Sequence, residues 1–457
     1  MSGITDLPVE LIHNICSFLR PTCVPGQRPH QCRECTHQRP GCVFWYRGQI
    51  DVSRLSRACK RLRDVVQPLL FLCSSDNGGH PARRLVRLLR TLLSRPDLAH
   101  HVRYLMFYHL EHLSPSDTRF IQSTITDLGL PPVPDSWNTD GEPEYRLLPL
   151  ELVLAHTPNL NYLRFPLDYD WQLNLLPRFT CFSLPSLRSL EVTHYFIAGD
   201  RFDASLSAVE TIISAAPNLQ SLSLPSPNDD TNFSAPLANL RRLDLQANNS
   251  ISPELLTTLI SSASKLVSFS LHWDALGDAY EDCEDRRVVD AWDAISRCKS
   301  SLEELLLDIR NDTELGEAER DNLKDFEKLE AVKVDGHSLG PLREAWLRRN
   351  KHARVDGFLS GFFPVGIREV TLWNLDGVEM RGAVRRFARV VAVGRYPRLK
   401  RVVLGPGEPS DRRGFDEWRN AGEWRGVEQE LGEEFGRGGV GFEVRWTSPS
   451  LRWEGLE

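Results

Sequence analysis

Hydrophobic residues recur along most of the chain in one short pattern, in which apolar residues stand at the first, fourth and sixth positions. Ten copies of this pattern occur. They are Val102-Leu105-Phe107, Leu160-Leu163-Phe165, Leu187-Leu190-Val192, Leu219-Leu222-Leu224, Leu240-Leu243-Leu245, Leu266-Phe269-Leu271, Leu302-Leu305-Leu307, Leu329-Val332-Val334, Ile367-Val370-Leu372 and Leu399-Val402-Leu404. The last two apolar positions alternate as in a β-strand with one buried face, and the first falls in the preceding turn. The chain is therefore predicted to form a series of short strands.

Between several copies, the apolar residues change to the spacing of amphipathic helices. The segments with this spacing are 149–156, 204–216, 252–264 and 288–299. Ser252 is the expected N-cap of its helix, because Pro253 follows at the first helical position. A strand that is followed by a helix many times in succession builds a parallel sheet covered by helices. The pattern predicts the α/β class.

The repeated pattern resembles leucine-rich repeats of the irregular kind, over residues 100–405. Most spacings between copies run from about 21 to 38 residues, and the Asn or Cys that the family has after the strand is mostly missing. The resemblance implies an α/β solenoid with parallel strands inside and helices outside; the alternative is ordinary βα units of a compact domain. In a solenoid, exposed strand residues bind the target. The candidates are Arg164, Glu191, Ser223, Asp244 and Ser270.

The composition divides the chain into three parts. Residues 1–75 are expected to form a small helical module with a Cys-rich loop inserted at 20–50. Residues 76–405 hold the repeats, with further inserted loops near 131–146 and 277–287. Residues 406–457 are rich in Gly, Arg and Glu and lack the pattern, which indicates an irregular cap or tail.

The N-terminal module begins with a predicted helix that Asp6 can cap, and a second helical element follows at 51–71. The first helix carries an apolar stripe formed by Leu11, Ile15, Phe18 and Leu19. Two short amphipathic helices make a poor core by themselves. Apolar surface on this module is therefore available for docking.

The same residues resemble the F-box, a helical motif that binds an adaptor protein. The resemblance rests on Leu7-Pro8-x-Glu10-Leu11 with Ile15 and Phe18-Leu19, followed by Leu55-Ser56-x-Ala58-Cys59-Lys60-Arg61-Leu62. About thirty residues separate the two halves where the family has only a few, so an inserted surface loop is required.

The F-box resemblance implies a substrate-recognition subunit of a cullin-based ubiquitin ligase, bound to a Skp-type adaptor. The residues expected to contact the adaptor are Leu7, Pro8, Glu10, Leu11, Ile15, Phe18, Leu19, Leu55 and Leu62. The alternative is a stand-alone repeat scaffold, in which the N-terminal helices merely cap the first edge of the solenoid.

The inserted loop contains one group of residues with the spacing of metal ligands. Cys32 and Cys35 are separated by two residues, which lets one turn present both sulfurs to a zinc ion. Cys23 and Cys42 could complete four thiolates, and His30 or His37 could replace one. The alternative is a loop with incidental thiols.

Charge and missing motifs limit the other functions. The 55 Lys and Arg residues against 62 Asp and Glu residues give a net charge of -7, so nucleic acid is not an expected partner. No 18-residue apolar run or secretory signal is found, so we expect an intracellular protein, in the cytoplasm or nucleus, without a membrane partner. Gly436-x-Gly438-x-x-Gly441 has no room for a dinucleotide fold after it. We therefore expect no enzyme and, apart from the zinc, no cofactor.

Overall fold

A computed structural model describes much of the chain, with gaps. The described residues are 7–19, 43–75, 81–107, 113–134, 137, 145–167, 173, 175–179, 182–194, 206–225, 233–247, 251–273, 288–309, 323–335, 339, 357–373, 378–405 and 423–444. The four loop cysteines Cys23, Cys32, Cys35 and Cys42 and the loop near 277–287 lie outside them. The chain forms two units. One comprises Met1–Pro225 and Asn232–Leu237, and the other comprises Ser226–Thr231 and Ala238–Glu457.

The first unit starts with three helices and continues with strands and helices. Its helices are α1 (Val9–Leu19), α2 (Val43–Ala58), α3 (Lys60–Phe71), α4 (Pro81–Ser94), α5 (Pro96–Ala99), α6 (Pro115–Asp127), α7 (Leu148–Ala155) and α8 (Leu206–Ala215). Its strands are β1 (Cys73–Ser75), β2 (Tyr104–Met106), β3 (Tyr162–Leu167), β4 (Ser189–His194) and β5 (Ser221–Pro225). A short 3-10 helix spans Leu176–Arg178.

The second unit continues the alternation of strands and helices. Its helices are α9 (Pro253–Ser262), α10 (Val288–Ser296), α11 (Phe358–Phe362), α12 (Val378–Ala392) and α13 (Glu423–Arg437), with a 3-10 helix at Leu323–Asp325. Its strands are β6 (Arg242–Ala247), β7 (Ser268–Trp273), β8 (Glu304–Ile309), β9 (Ala331–Asp335), β10 (Glu369–Trp373), β11 (Arg401–Gly405) and β12 (Gly441–Val444).

Within each unit the strands are parallel and lie in the sheet in their chain order. Each of the ten copies of the apolar pattern contributes one strand, β2 to β11. The α/β class is confirmed. Sequential order of parallel strands is the arrangement of a solenoid-type array, in which each repeat packs on its chain neighbours.

A hydrogen-bond arrangement repeated before the strands explains their common register. The carbonyl oxygen of Arg103 accepts from the consecutive amides of Asn161 and Tyr162 at 2.8 and 3.0 Å. In the second unit, the carbonyl oxygen of Val267 accepts from Glu303 and Glu304 at the same distances. One backbone oxygen thus anchors the next strand, so the pattern needs no particular side chain at these positions.

The asparagine that precedes several strands has a structural role. The side-chain amide of Asn159 donates to the carbonyl oxygen of His100 at 3.0 Å, and that of Asn218 donates to the carbonyl oxygen of Pro185 at 2.9 Å. Each bond connects one repeat to the repeat before it. The predicted N-cap is also confirmed, because Ser252 Oγ accepts from the amide of Leu255 at 3.1 Å.

The chain beyond Gly405, expected to be irregular, contains a helix and a strand at 423–444. Strand β12 pairs in parallel with β11, and Phe442 on β12 stacks on Phe435 of α13 with ring centroids 5.3 Å apart. Phe435 in turn contacts Phe387 of α12. These residues add one more strand and helix to the second unit. They lack the complete apolar triplet, because Phe442 and Val444 occupy its last two positions but Gly439 stands at its first.

Candidate functional site

The N-terminal helices α1, α2 and α3 share one small core. The core consists of Ile12, Cys16, Val52, Leu62 and Val66. Helix α1 therefore turns Ile12 and Cys16 inward, whereas the sequence pattern had singled out Leu11 and Ile15. Since the inward positions are filled by other residues, Leu11 remains in solvent with 46% of its surface exposed.

The expected adaptor-binding residues fall into two groups. Pro8, Glu10 and Leu11 are exposed. Leu62 is 1% exposed and belongs to the core, while Leu7 and Leu55 pack against the core with part of their surface in solvent. Ile15 is half-buried, and the side chains of Phe18 and Leu19 lie outside the described part of the structure. Leu62, which was expected to contact the adaptor, is therefore a core residue of the module and is not on its surface.

An exposed apolar patch surrounds the start of α1. It consists of Pro8, Val9 and Leu11, and Val9 was not among the expected residues. Val9 is 41% exposed. Sequence reasoning missed it because it lies outside the helical stripe.

The strands carry a second candidate surface. Along each strand, alternate residues are buried with the apolar core, and the others lie on the opposite face, here called the open face. On the open face of the first unit, Arg164, Glu191 and Ser223 occupy one register row. Asp244 and Ser270 are register partners in the second unit. The structure therefore brings the five expected target-binding residues together as one group of three and one group of two.

In the first unit, two of these residues already bind each other. Arg164 Nη1 lies 3.3 Å from Glu191 Oε1, and the hydroxyl of Tyr162 donates to Glu191 Oε2. The side chain of Arg164 is only 11% exposed, against 31% for Glu191. The accessible part of this row is therefore Glu191 and Ser223, while Arg164 holds Glu191 in position.

At the first strands, an apolar cluster buries side chains of the open face. Cys73, Met106 and Tyr162 are buried there, with Tyr104 packed against them. Burial raises the pKa of the Cys73 thiol well above its ordinary value. This thiol is therefore not a reactive thiolate at neutral pH.

In the second unit, an imidazole lies between two carboxylates. His272 Nε2 lies 3.8 Å from Asp244 Oδ1, and His272 Nδ1 lies 3.7 Å from Asp308 Oδ2. These residues belong to three successive strands. Asp244 was among the predicted residues, but His272 and Asp308 were not. Both follow the last apolar residue of their repeats and could have been found from that position.

A second ionic group lies further along the same unit. Arg401 Nη2 lies 2.5 Å from Glu443 Oε2, and Arg401 Nη1 lies 3.8 Å from Glu369 Oε1. All three side chains lie on the open face and are about two-fifths exposed. The open face of the second unit is therefore polar and partly accessible.

Within the described ranges, no three His, Cys, Asp or Glu side chains are grouped as metal ligands would be. Burial raises the pKa of the Cys298 thiol to about 11. Across those same ranges, no helix combines the length and apolar character needed to cross a membrane.

Comparison of the chain with models of known protein families gives no match, and comparison with curated proteins gives none either. The features that bear on function are therefore the exposed apolar patch of α1 and the open face of the strands.

Proposed function

We propose that this chain is a substrate-recognition subunit of a Skp-cullin-F-box type ubiquitin ligase. Helices α1 to α3 bind the Skp-type adaptor and through it a cullin, and the open strand face binds a target protein. Other subunits carry out ubiquitin transfer, so this chain itself is not an enzyme.

The observation that carries the proposal is that α1 has apolar residues both in the core of the module and on its surface. One side of the helix fills the core of the module through Ile12 and Cys16, and the patch of Pro8, Val9 and Leu11 remains in solvent. Clusters of large exposed apolar side chains on a soluble protein commonly mark interaction sites. The patch lies in the same segment as the Leu-Pro-x-Glu-Leu motif.

The strand face supports the second half of the proposal. Glu191, Ser223, Asp244 and Ser270 are each partly exposed and belong to rows of side chains at fixed strand spacing. Side chains on rigid strands lose little conformational entropy on binding. Such rows favour recognition of a protein surface, in keeping with a scaffold that presents a target.

A binding measurement on the full chain tests the proposal. Pro8→Ala combined with Leu11→Ala removes exposed apolar surface and spares Leu7, which packs against the core. We expect affinity for a purified Skp-type adaptor to fall at least about tenfold, because burying a Leu side chain contributes about 1.5–3 kcal/mol.

The matched control is Leu128→Ala, which truncates another exposed leucine at the end of α6. It should bind the adaptor as the wild-type chain does. A wild-type chain that does not bind the adaptor would overturn the ligase proposal and favour the stand-alone scaffold.

A further inference from the structure

The charge of the chain is distributed unevenly. Residues 1–107 contain 16 Lys and Arg residues and 7 Asp and Glu residues, a net charge of +9. The remaining 350 residues contain 39 and 55, a net charge of -16. The total of -7 therefore conceals a basic N-terminal region.

The basic residues are concentrated where α2 meets α3. The ten residues 54–63 include five basic residues and no acidic one. The five are Arg54, Arg57, Lys60, Arg61 and Arg63, and all five are exposed. We call this segment the basic junction.

The basic junction adjoins the apolar patch at the start of α1. Arg61 Nη2 donates to the carbonyl oxygen of Leu7 at 2.9 Å, and Leu7 directly precedes Pro8. In the described residues of helices α1 to α3, the acidic side chains are those of Glu10, Asp51 and Asp64. Asp51 pairs with Arg54 at 3.4 Å, and Asp64 acts on Arg95.

Three cations of the junction have no ionic partner in the described part of the chain. They are Arg57, Lys60 and Arg63. Long cationic side chains around an apolar centre fit an interface whose rim is charged and whose core is apolar. The complementary surface must carry carboxylates around an apolar pocket.

We infer that the basic junction steers an acidic partner surface onto the patch of Pro8, Val9 and Leu11. The inference rests on the proposed function, in which this partner is the Skp-type adaptor. Exposed charges at the rim of an interface act mainly on the association rate and its salt dependence, whereas the apolar contact governs dissociation. The two contributions can therefore be measured separately.

The test is Arg57→Glu with Lys60→Glu in the full chain, which keeps Arg61 and its bond to Leu7. Association and dissociation with the purified adaptor are followed by surface plasmon resonance from about 50 mM to about 500 mM salt, a range over which charge screening becomes much stronger. At low salt we expect the association rate constant to fall about tenfold. The dissociation rate constant should stay within about twofold, and the difference in association should disappear at high salt.

The matched control is Arg83→Glu with Arg87→Glu, which makes the same charge change at exposed positions of α4. It should associate at close to the wild-type rate. Suppose that the adaptor binds, but the junction variant has the wild-type association rate constant and salt dependence, or an effect no larger than that of the control. The inference is then overturned, and the ligase proposal stands. If the wild-type chain does not bind the adaptor at all, both fall.

Discussion

Arg61 and Leu7 are joined by a hydrogen bond from the guanidinium Nη2 to a backbone carbonyl oxygen, 2.9 Å long and spanning 54 residues of sequence. The bond links α3 to the entry of α1. The amides of Leu11 and Ile12 both donate to the carbonyl oxygen of Pro8 at 3.1 Å, which begins the helix one residue later. The position of the apolar patch therefore depends on a contact between the two halves of the module.

Removal of this contact should loosen the first turn of α1. In Arg61→Ala we expect faster amide hydrogen exchange at Leu11 and Ile12, because Leu7 is no longer held. Arg63→Ala removes another exposed arginine of the same helix and is the control. Equal exchange in both variants would show that the bond does not hold the helix start.

Leu243 tests the register of the second unit. It is fully buried on β6 and is the register partner of Phe269 on β7. Leu243→Asp should prevent folding of that unit, because the cost of an unpaired buried charge approaches the total stability of about 5–15 kcal/mol. Arg242→Asp introduces the same side chain on the open face and should be tolerated. The measurement is the melting temperature of each variant, which should fall sharply for Leu243→Asp and stay close to the wild-type value for Arg242→Asp.

Glu151 is a buried carboxylate that sequence reasoning did not mark. Its Oε2 accepts from the backbone amides of Leu175 and Leu176 at 2.6 and 2.8 Å. Glu151→Ala leaves two buried donors without this acceptor and should lower the free energy of unfolding by about 2–4 kcal/mol. Glu151→Gln keeps an acceptor oxygen, so urea denaturation should show a smaller loss. Equal losses would assign the effect to the charge.

We expect the folded chain to lose stability at alkaline pH because of Tyr396. Its hydroxyl donates to the carbonyl oxygen of Ser360 at 2.7 Å, and burial raises its pKa to about 12. Because the pKa in the unfolded chain is about 10, this contribution is complete below about pH 10 and is lost as the pH rises toward 12. Tyr396→Phe should be less stable at neutral pH, and its deficit should shrink above pH 10. Parallel pH profiles would contradict the prediction.

The Cys-rich loop inserted at 20–50 is predicted to bind zinc. If Cys23, Cys32, Cys35 and Cys42 bind it, the purified chain should contain about one equivalent of metal. Cys32→Ala with Cys35→Ala should abolish it and leave the melting of the strand repeats unchanged, since repeats transmit stability mainly between neighbours. Elemental analysis that finds no metal in the wild-type chain removes the hypothesis.

The strands could be predicted because each one needs only two apolar residues and a preceding apolar turn. Strands β1 and β12 were missed for the same reason. Cys73-Ser74-Ser75 does not contain the triplet, and before β12 Gly439 stands at its first position. Both strands exist because a neighbouring strand offers its backbone.

The candidate surfaces were harder to predict, because a helix does not reveal which of two apolar sides faces its neighbours. Ile12 faces the core and Leu11 faces solvent, although the sequence pattern allowed either residue to face the core. The fixed pair of Arg164 and Glu191 likewise depends on two strands being neighbours. Local sequence carries no trace of such pairings.

In each unit, every strand has its chain neighbours as its pairing partners. Duplication or deletion of one strand with its helix therefore leaves all other pairings intact, and the joining segments can differ widely in length. A lineage can thus lengthen such an array by unequal recombination. It can also diversify the open-face residues of one repeat without redesigning the next.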